Sequence, residues 1–170
     1  MKHKKTILII LGLLLMFAFV LGYSQPVKAA QKGTITKPLV YQKSLDIFMG
    51  HGGVYFPSSN YTGKAVLSRI EPINTKNLTF THRWLDIQLL DVKGKEIKSV
   101  SGYIYVYFNL NTDDYIAWKK EKLSIYYYDP ATSNWVECPT YYFANKSSPY
   151  GRVSTLIAKD FGRFGIAIKR

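Results

Sequence analysis

Cysteine is nearly missing: Cys138 is the only one in 170 residues, so no intramolecular disulfide forms and a domain of this size has to be held by its core alone. Cys138 lies between Glu137 and Pro139 with no histidine near it in sequence, which favours a buried, inert thiol over a nucleophile. Histidine is scarce too. His3, His51 and His82 are the three present, and with one cysteine they are a poor inventory for zinc. Acids number 11 against 23 basic residues; they are scattered, and neither a Gly-x-Ser-x-Gly nor a His-Glu-x-x-His motif accompanies them. Sustained helical periodicity is absent as well, which argues against a helical bundle. No catalytic residue, metal ligand or cofactor is assigned, and the chain reads as non-enzymatic. A wall-active hydrolase remains open only through residues that converge from distant parts of the sequence.

The one long apolar run stands at the N-terminus. Lys2, Lys4 and Lys5 precede Ile7 to Leu21, which is shorter than the roughly 20 residues of a usual membrane span. Val27-Lys28-Ala29 follows as a small-residue cleavage site. Residues 1–29 are therefore expected to be a signal peptide, or an uncut membrane anchor, and 30–38 a weakly ordered polar lead-in. The domain proper is expected over 39–170. Removal of the leader leaves 19 basic residues against 11 acids, a net charge of +8, which suits attraction to anionic envelope components. No run of five or more basic residues concentrates that charge.

What is abundant is alternation. Tyr103 to Leu110 places Ile104, Val106, Phe108 and Leu110 on one face of an extended chain and Tyr103, Tyr105, Tyr107 and Asn109 on the other. Leu123 to Tyr128 alternates likewise and stops at Asp129-Pro130-Ala131-Thr132-Ser133-Asn134, from which Trp135 and Val136 return as in a hairpin. Further short strands are expected within Leu39 to Met49, interrupted near Gln42 to Ser44, and at Val54 to Phe56, Lys64 to Ile70, Trp84 to Leu89, Thr140 to Phe143, Arg152 to Ala158 and Phe161 to Ile168. Leu78 to Thr81 reads as a short edge strand or an ordered loop. Gly94 centres a tight reversal, and Asn111 to Glu121 reads as a connection with about one helical turn. The predicted fold is all-β, a single antiparallel β-sandwich.

Two local readings complete the search for chemistry. Gly50-His51-Gly52-Gly53 is a turn rather than a phosphate loop, with His51 an exposed histidine lacking companion ligands. Asp113 and Asp114 sit in a segment that imitates a calcium loop but has Asp114 where the turn glycine is needed; a looser calcium site there competes with plain solvated carboxylates.

The cadence of the second half, Tyr105-Val106-Tyr107-Phe108, Leu123-Ser124-Ile125-Tyr126-Tyr127-Tyr128-Asp129, Asn134-Trp135-Val136 and Phe161-Gly162-Arg163-Phe164-Gly165-Ile166-Ala167, resembles the end of ZU5-like β-sandwich domains, found in ankyrins, netrin receptors and many bacterial surface proteins. Gly52-Gly53-Val54-Tyr55-Phe56-Pro57 is similar to that family's opening segment. The resemblance implies an interaction module and carries over no catalytic residues.

The candidate ligand-binding residues are Tyr103, Tyr105 and Tyr107 on one strand and Tyr126 and Tyr128 on another. If those strands are adjacent, the five rings present a flat platform on which sugars stack; the competing reading packs them across strands or under loops. The expected role is an exported interaction module at the cell surface that binds a surface protein or an anionic wall polymer or glycan, with a membrane tether through the N-terminus if the leader is uncut. The alternative is a carbohydrate-binding accessory module. Export argues against a nucleic-acid partner.

Overall fold

The computed structural model describes residues 31–145 and 148–170; the leader expected over residues 1–29 lies outside them. Period-two alternation translates into strands β1 (Gln31–Leu39), β2 (Leu45–Met49), β3 (Gly52–Phe56), β4 (Gly63–Ile70), β5 (Leu78–Phe80), β6 (Trp84–Asp91) and β7 (Ser99–Asn109). After helix α1 (Thr112–Lys119) come β8 (Leu123–Asp129), β9 (Asn134–Glu137), β10 (Tyr141–Asn145), β11 (Ser148–Lys159) and β12 (Arg163–Lys169). One sheet has the order β1-β4-β6-β12-β8-β9, with β5 beside the far end of β12; the other has the order β10-β11-β7-β3-β2. Every ladder between these strands is antiparallel. The two sheets pack face to face as a β-sandwich.

The core lies between them and is built from the alternate residues of each strand. Ile104, Val106 and Phe108 of β7 join Leu67 of β4, Leu85, Ile87 and Leu89 of β6, Leu123 and Ile125 of β8, and Phe164 and Ile166 of β12 in one cluster of buried side chains. Each contributes about 1.5–3 kcal/mol of burial free energy, which is how the fold holds without a disulfide. A second, smaller cluster of Ile70, Leu78, Phe80, Trp84, Tyr126 and Ala167 lies on the other side of the larger sheet, with Trp135 packed against it.

The segment expected as a polar lead-in is instead an edge strand. β1 pairs with β4 from Thr34↔Ser68 to Leu39↔Gly63. Its threonines suit a strand with one solvated face, while Ile35 packs on the core. Pro38 is tolerated because an edge strand has no second neighbour requiring its missing N–H. The interruption expected near Gln42 to Ser44 is where the chain leaves one sheet for the other, so Leu39 and Leu45 belong to different sheets. Leu78 to Phe80 forms a strand, paired with β12 from Lys169↔Leu78 to Ala167↔Phe80.

The β8–β9 hairpin closes at Asp129↔Asn134. The Asp129 carboxylate accepts the Ala131 N–H at 2.9 Å and the Thr132 hydroxyl at 2.8 Å, the side-chain chemistry for which such turns select aspartate. α1 starts with a capping box: Asn111 Oδ1 accepts the Asp114 N–H at 2.9 Å, and the Asn111 N–H donates to Asp114 Oδ2 at 3.1 Å. The segment from Asn111 to Lys122 carries the chain from β7 in one sheet to β8 in the other. This crossing decides the fate of the tyrosines.

Candidate functional site

β7 and β8 are not neighbours, so the single five-tyrosine platform does not exist. The inward faces of both strands feed the common core, which turns Tyr103, Tyr105 and Tyr107 to the outside of the five-stranded sheet and Tyr126 and Tyr128 to the outside of the other. Sequence periodicity assigns a residue to a face of its own strand; it does not say which sheet the strand joins.

On the five-stranded sheet the register assembles a larger aromatic surface. Tyr55 lies opposite Tyr105, their ring centroids 6.0 Å apart. Leu156 lies opposite Tyr105 on the other side, and Ser154 opposite Tyr107. Phe143 and Tyr141 of β10 extend the same face, opposite Arg152 and Ser154, and Phe48 of β2 extends it the other way. Phe48, Tyr55, Tyr103, Tyr141, Phe143 and Leu156 are all exposed, Tyr103 most of all at 65%. A groove of about 380 Å³ runs through the middle, lined by Tyr55, Tyr105, Tyr107, Phe143, Arg152 and Ser154 among others.

Tyr107 forms the floor of this groove and is not one of the exposed rings. It is only 3% exposed, because Gly53 opposite leaves room for its ring to lie across β3: a Cβ on Gly53 would fall 2.5 Å from the ring and the hydroxyl. Tyr107 Oη donates to Asp46 Oδ1 at 2.7 Å, Phe48 stacks parallel to it at 6.4 Å, and the Arg152 guanidinium lies 4.5 Å above the ring centroid. Burial, then the hydrogen bond to and charge of Asp46, push the Tyr107 phenol well above its ordinary range.

The other two tyrosines have different fates. Tyr126 is 3% exposed within the smaller cluster, its hydroxyl buried without a hydrogen-bond partner; burial and the charge of Glu137 push its phenol up to about 12. Tyr128 is half-buried beside Trp135, ring centroids 5.4 Å apart, with the Arg163 guanidinium 5.7 Å from its ring. It lines a separate cavity of about 420 Å³ with Asp86, Tyr127, Phe161 and Arg163.

No protein-family model, no curated protein and no solved structure matches the chain. The site therefore has to be read from its own side chains.

A polar cluster missed in the sequence occupies one end of the sandwich. His51, on the β2–β3 turn, is exposed but not alone: its ring stacks on His82, centroids 4.4 Å apart at 15°. His82 Nε2 is 2.7 Å from Asp114 Oδ2. Asp114 is fully buried, so it is neither a solvated carboxylate nor half of a loose calcium site with Asp113. Burial raises its carboxyl, but the hydrogen bonds from His82 and the Asn111 amide outweigh that and hold it below the usual carboxylate range. Burial and then the neighbouring His82 hold the His51 imidazole below its ordinary value, against the opposing pull of Asp114. Rings stacked face to face do not aim their lone pairs at one point, and no group of three His, Cys, Asp or Glu residues suited to a metal ion occurs among the described residues. Cys138 is half-buried against the core, its thiol pushed up to about 11 mainly by burial, which keeps it protonated at neutral pH.

Proposed function

We propose that this chain is an exported, non-enzymatic interaction module whose contact surface for a partner protein at the cell surface is the outer face of the five-stranded sheet. The observation that carries the reading is the run of six exposed large apolar side chains on one sheet face, Phe48, Tyr55, Tyr103, Tyr141, Phe143 and Leu156. Scattered exposed apolar residues need no explanation, whereas a contiguous set on a flat face is the mark of a surface meant to be covered. Aromatic rings with one polar tip, edged by an arginine, are the composition favoured at protein contacts. The ZU5-like cadence supports the same role, and the excess of basic charge supports residence among anionic envelope components.

A second reading, carbohydrate binding, draws support from the groove alone. Tyr55, Tyr105 and Phe143 flank Arg152 and Ser154 there, which combines stacking surfaces with polar groups at the scale of a sugar ring.

The test is chemical cross-linking of the full chain on its own cell envelope, comparing wild type with Leu156→Asp and Phe143→Asp. Both substitutions change exposed side chains and should leave the melting temperature within about 2 °C. Loss of one defined cross-linked protein in both variants supports the reading; an unchanged cross-link overturns it. Saturable binding on a glycan array that Tyr105→Ala abolishes, with no protein cross-link, supports the second reading instead.

A further inference from the structure

The opposite side of the molecule holds a site of different chemistry. On the outside of the seven-stranded sheet, the segment between β4 and β5, the β8–β9 turn and the end of β12 border an open cavity of about 490 Å³ lined by Lys76, Asn134, Trp135, Tyr126, Lys169 and Arg170, among others. That volume suits one or two sugar rings. Three cations surround it. Arg170 is oriented by a hydrogen bond from its Nε to Thr79 Oγ1 at 2.8 Å. Lys169 Nζ pairs with Glu137 Oε2 at 2.7 Å, and Glu137 Oε1 also accepts the Ser124 hydroxyl at 2.7 Å. Lys76 has no ion-pair partner among the described residues. Glu137 offsets Lys169, which leaves Lys76 and the Arg170 guanidinium as the lining's cationic side chains without a side-chain carboxylate partner among the described residues.

The wall is aromatic and held in place. Trp135 packs against Phe80 at 4.6 Å, Trp84 at 4.7 Å and Tyr128 at 5.4 Å between ring centroids, so its indole loses little freedom when a ring stacks on it. Tyr126 adds a second feature: a phenol in the cavity lining whose hydroxyl has no partner. A tyrosine hydroxyl normally finds one when buried, and a polar ligand that displaces the side chains covering this oxygen would supply it.

We propose that this cavity binds an anionic saccharide unit, a sugar ring carrying a carboxylate or a phosphate, with the ring against Trp135, a ring hydroxyl meeting Tyr126 and the acid group among Lys76, Lys169 and Arg170. The site is independent of the aromatic face of the five-stranded sheet and gives the module a second handle on an acidic polymer.

The experiment is an NMR titration of the full chain at low salt, following the Trp135 indole N–H, assigned with Trp135→Phe. The probes are glucuronic acid, glucose 6-phosphate, glucose and inorganic phosphate. A saturable shift with one or both acidic sugars, at least about tenfold tighter than with glucose or phosphate alone, supports the site and distinguishes carboxylate from phosphate sugars. Lys76→Glu should weaken that binding about tenfold. Tyr126→Phe should weaken it while leaving the melting temperature unchanged or higher, because the variant removes an unpaired buried hydroxyl. Leu156→Asp should leave it untouched, which separates this site from the protein-docking face. Equal response to glucose, equal response to inorganic phosphate, or wild-type affinity in Lys76→Glu would overturn the proposal.

Discussion

Asp114→Asn offers the sharpest test of how the end of the sandwich is built. The substitution keeps the shape and an oxygen for the Asn111 N–H but removes the negative charge. A hydrogen bond with a charged partner contributes about 1.5–3 kcal/mol, and an acid in the first turn of a helix about 0.3–1 kcal/mol; both act at Asp114. The loss is therefore about 2–4 kcal/mol, which at roughly 3 °C per kcal/mol for a domain of this size lowers the melting temperature by about 6–12 °C. The sign with pH follows from the depressed carboxyl. A group whose folded pKa lies below its unfolded value stabilises above the unfolded value, about 3.9 for aspartate, and ceases to do so as pH falls through the folded one. The gap between wild type and variant should persist down to about pH 5 and close only below about pH 4. Calorimetry of wild type, Asp114→Asn, His82→Ala and the double variant completes the cycle. A coupling energy below about 0.5 kcal/mol, or a gap that does not close in acid, would refute the reasoning.

The remaining predictions concern the core, the floor of the aromatic face and the stacked imidazoles. Phe164→Ala, at a fully buried position between the sheets, should cost about 3–5 kcal/mol in urea unfolding. Gly53→Ala should cost about 1–3 kcal/mol, because the new Cβ meets both the Tyr107 ring and the Ile47 carbonyl oxygen, the latter at 2.6 Å; a neutral result would show that Tyr107 does not lie across β3. Ultraviolet titration should find Tyr107 among the last phenols to ionise, and stability should be lost as pH rises above about 10, since its folded pKa is raised. His51, held below its ordinary value, stabilises the fold above about pH 6.5 and less so as pH falls from there; His51→Gln should flatten the slope of melting temperature between pH 7 and 5.

Strand existence was legible wherever one face was apolar and the other was not, as in Tyr103 to Leu110. Pairing was not, and the site depended on pairing. Phe48 and Tyr55 were hidden inside the continuous apolar runs Ile47-Phe48-Met49 and Val54-Tyr55-Phe56, where periodicity cannot tell outward from inward. β1 escaped notice because its alternation is carried by threonine and lysine, with Ile35 and the terminal Leu39 to mark the inner face. His51, His82 and Asp114 stand 31 and 32 positions apart in the sequence; no local spacing rule links them, and only the route of the chain between the sheets brings them into contact. The hairpin at Asp129 to Asn134 and the reversal at Gly94 were legible because turn chemistry is local.

The stacked pair His51 and His82 has a mechanical consequence. His51 belongs to the hairpin that forms one margin of the five-stranded sheet, while Asp114 anchors the helix leading into the other sheet, so the trio works as a clasp across two leaves with no covalent stitch between them. Acidification that charges His51, whose imidazole is held below its ordinary value, would open the molecule at this margin first. Phe48, only three residues from His51, would be the part of the aromatic surface to lose its setting.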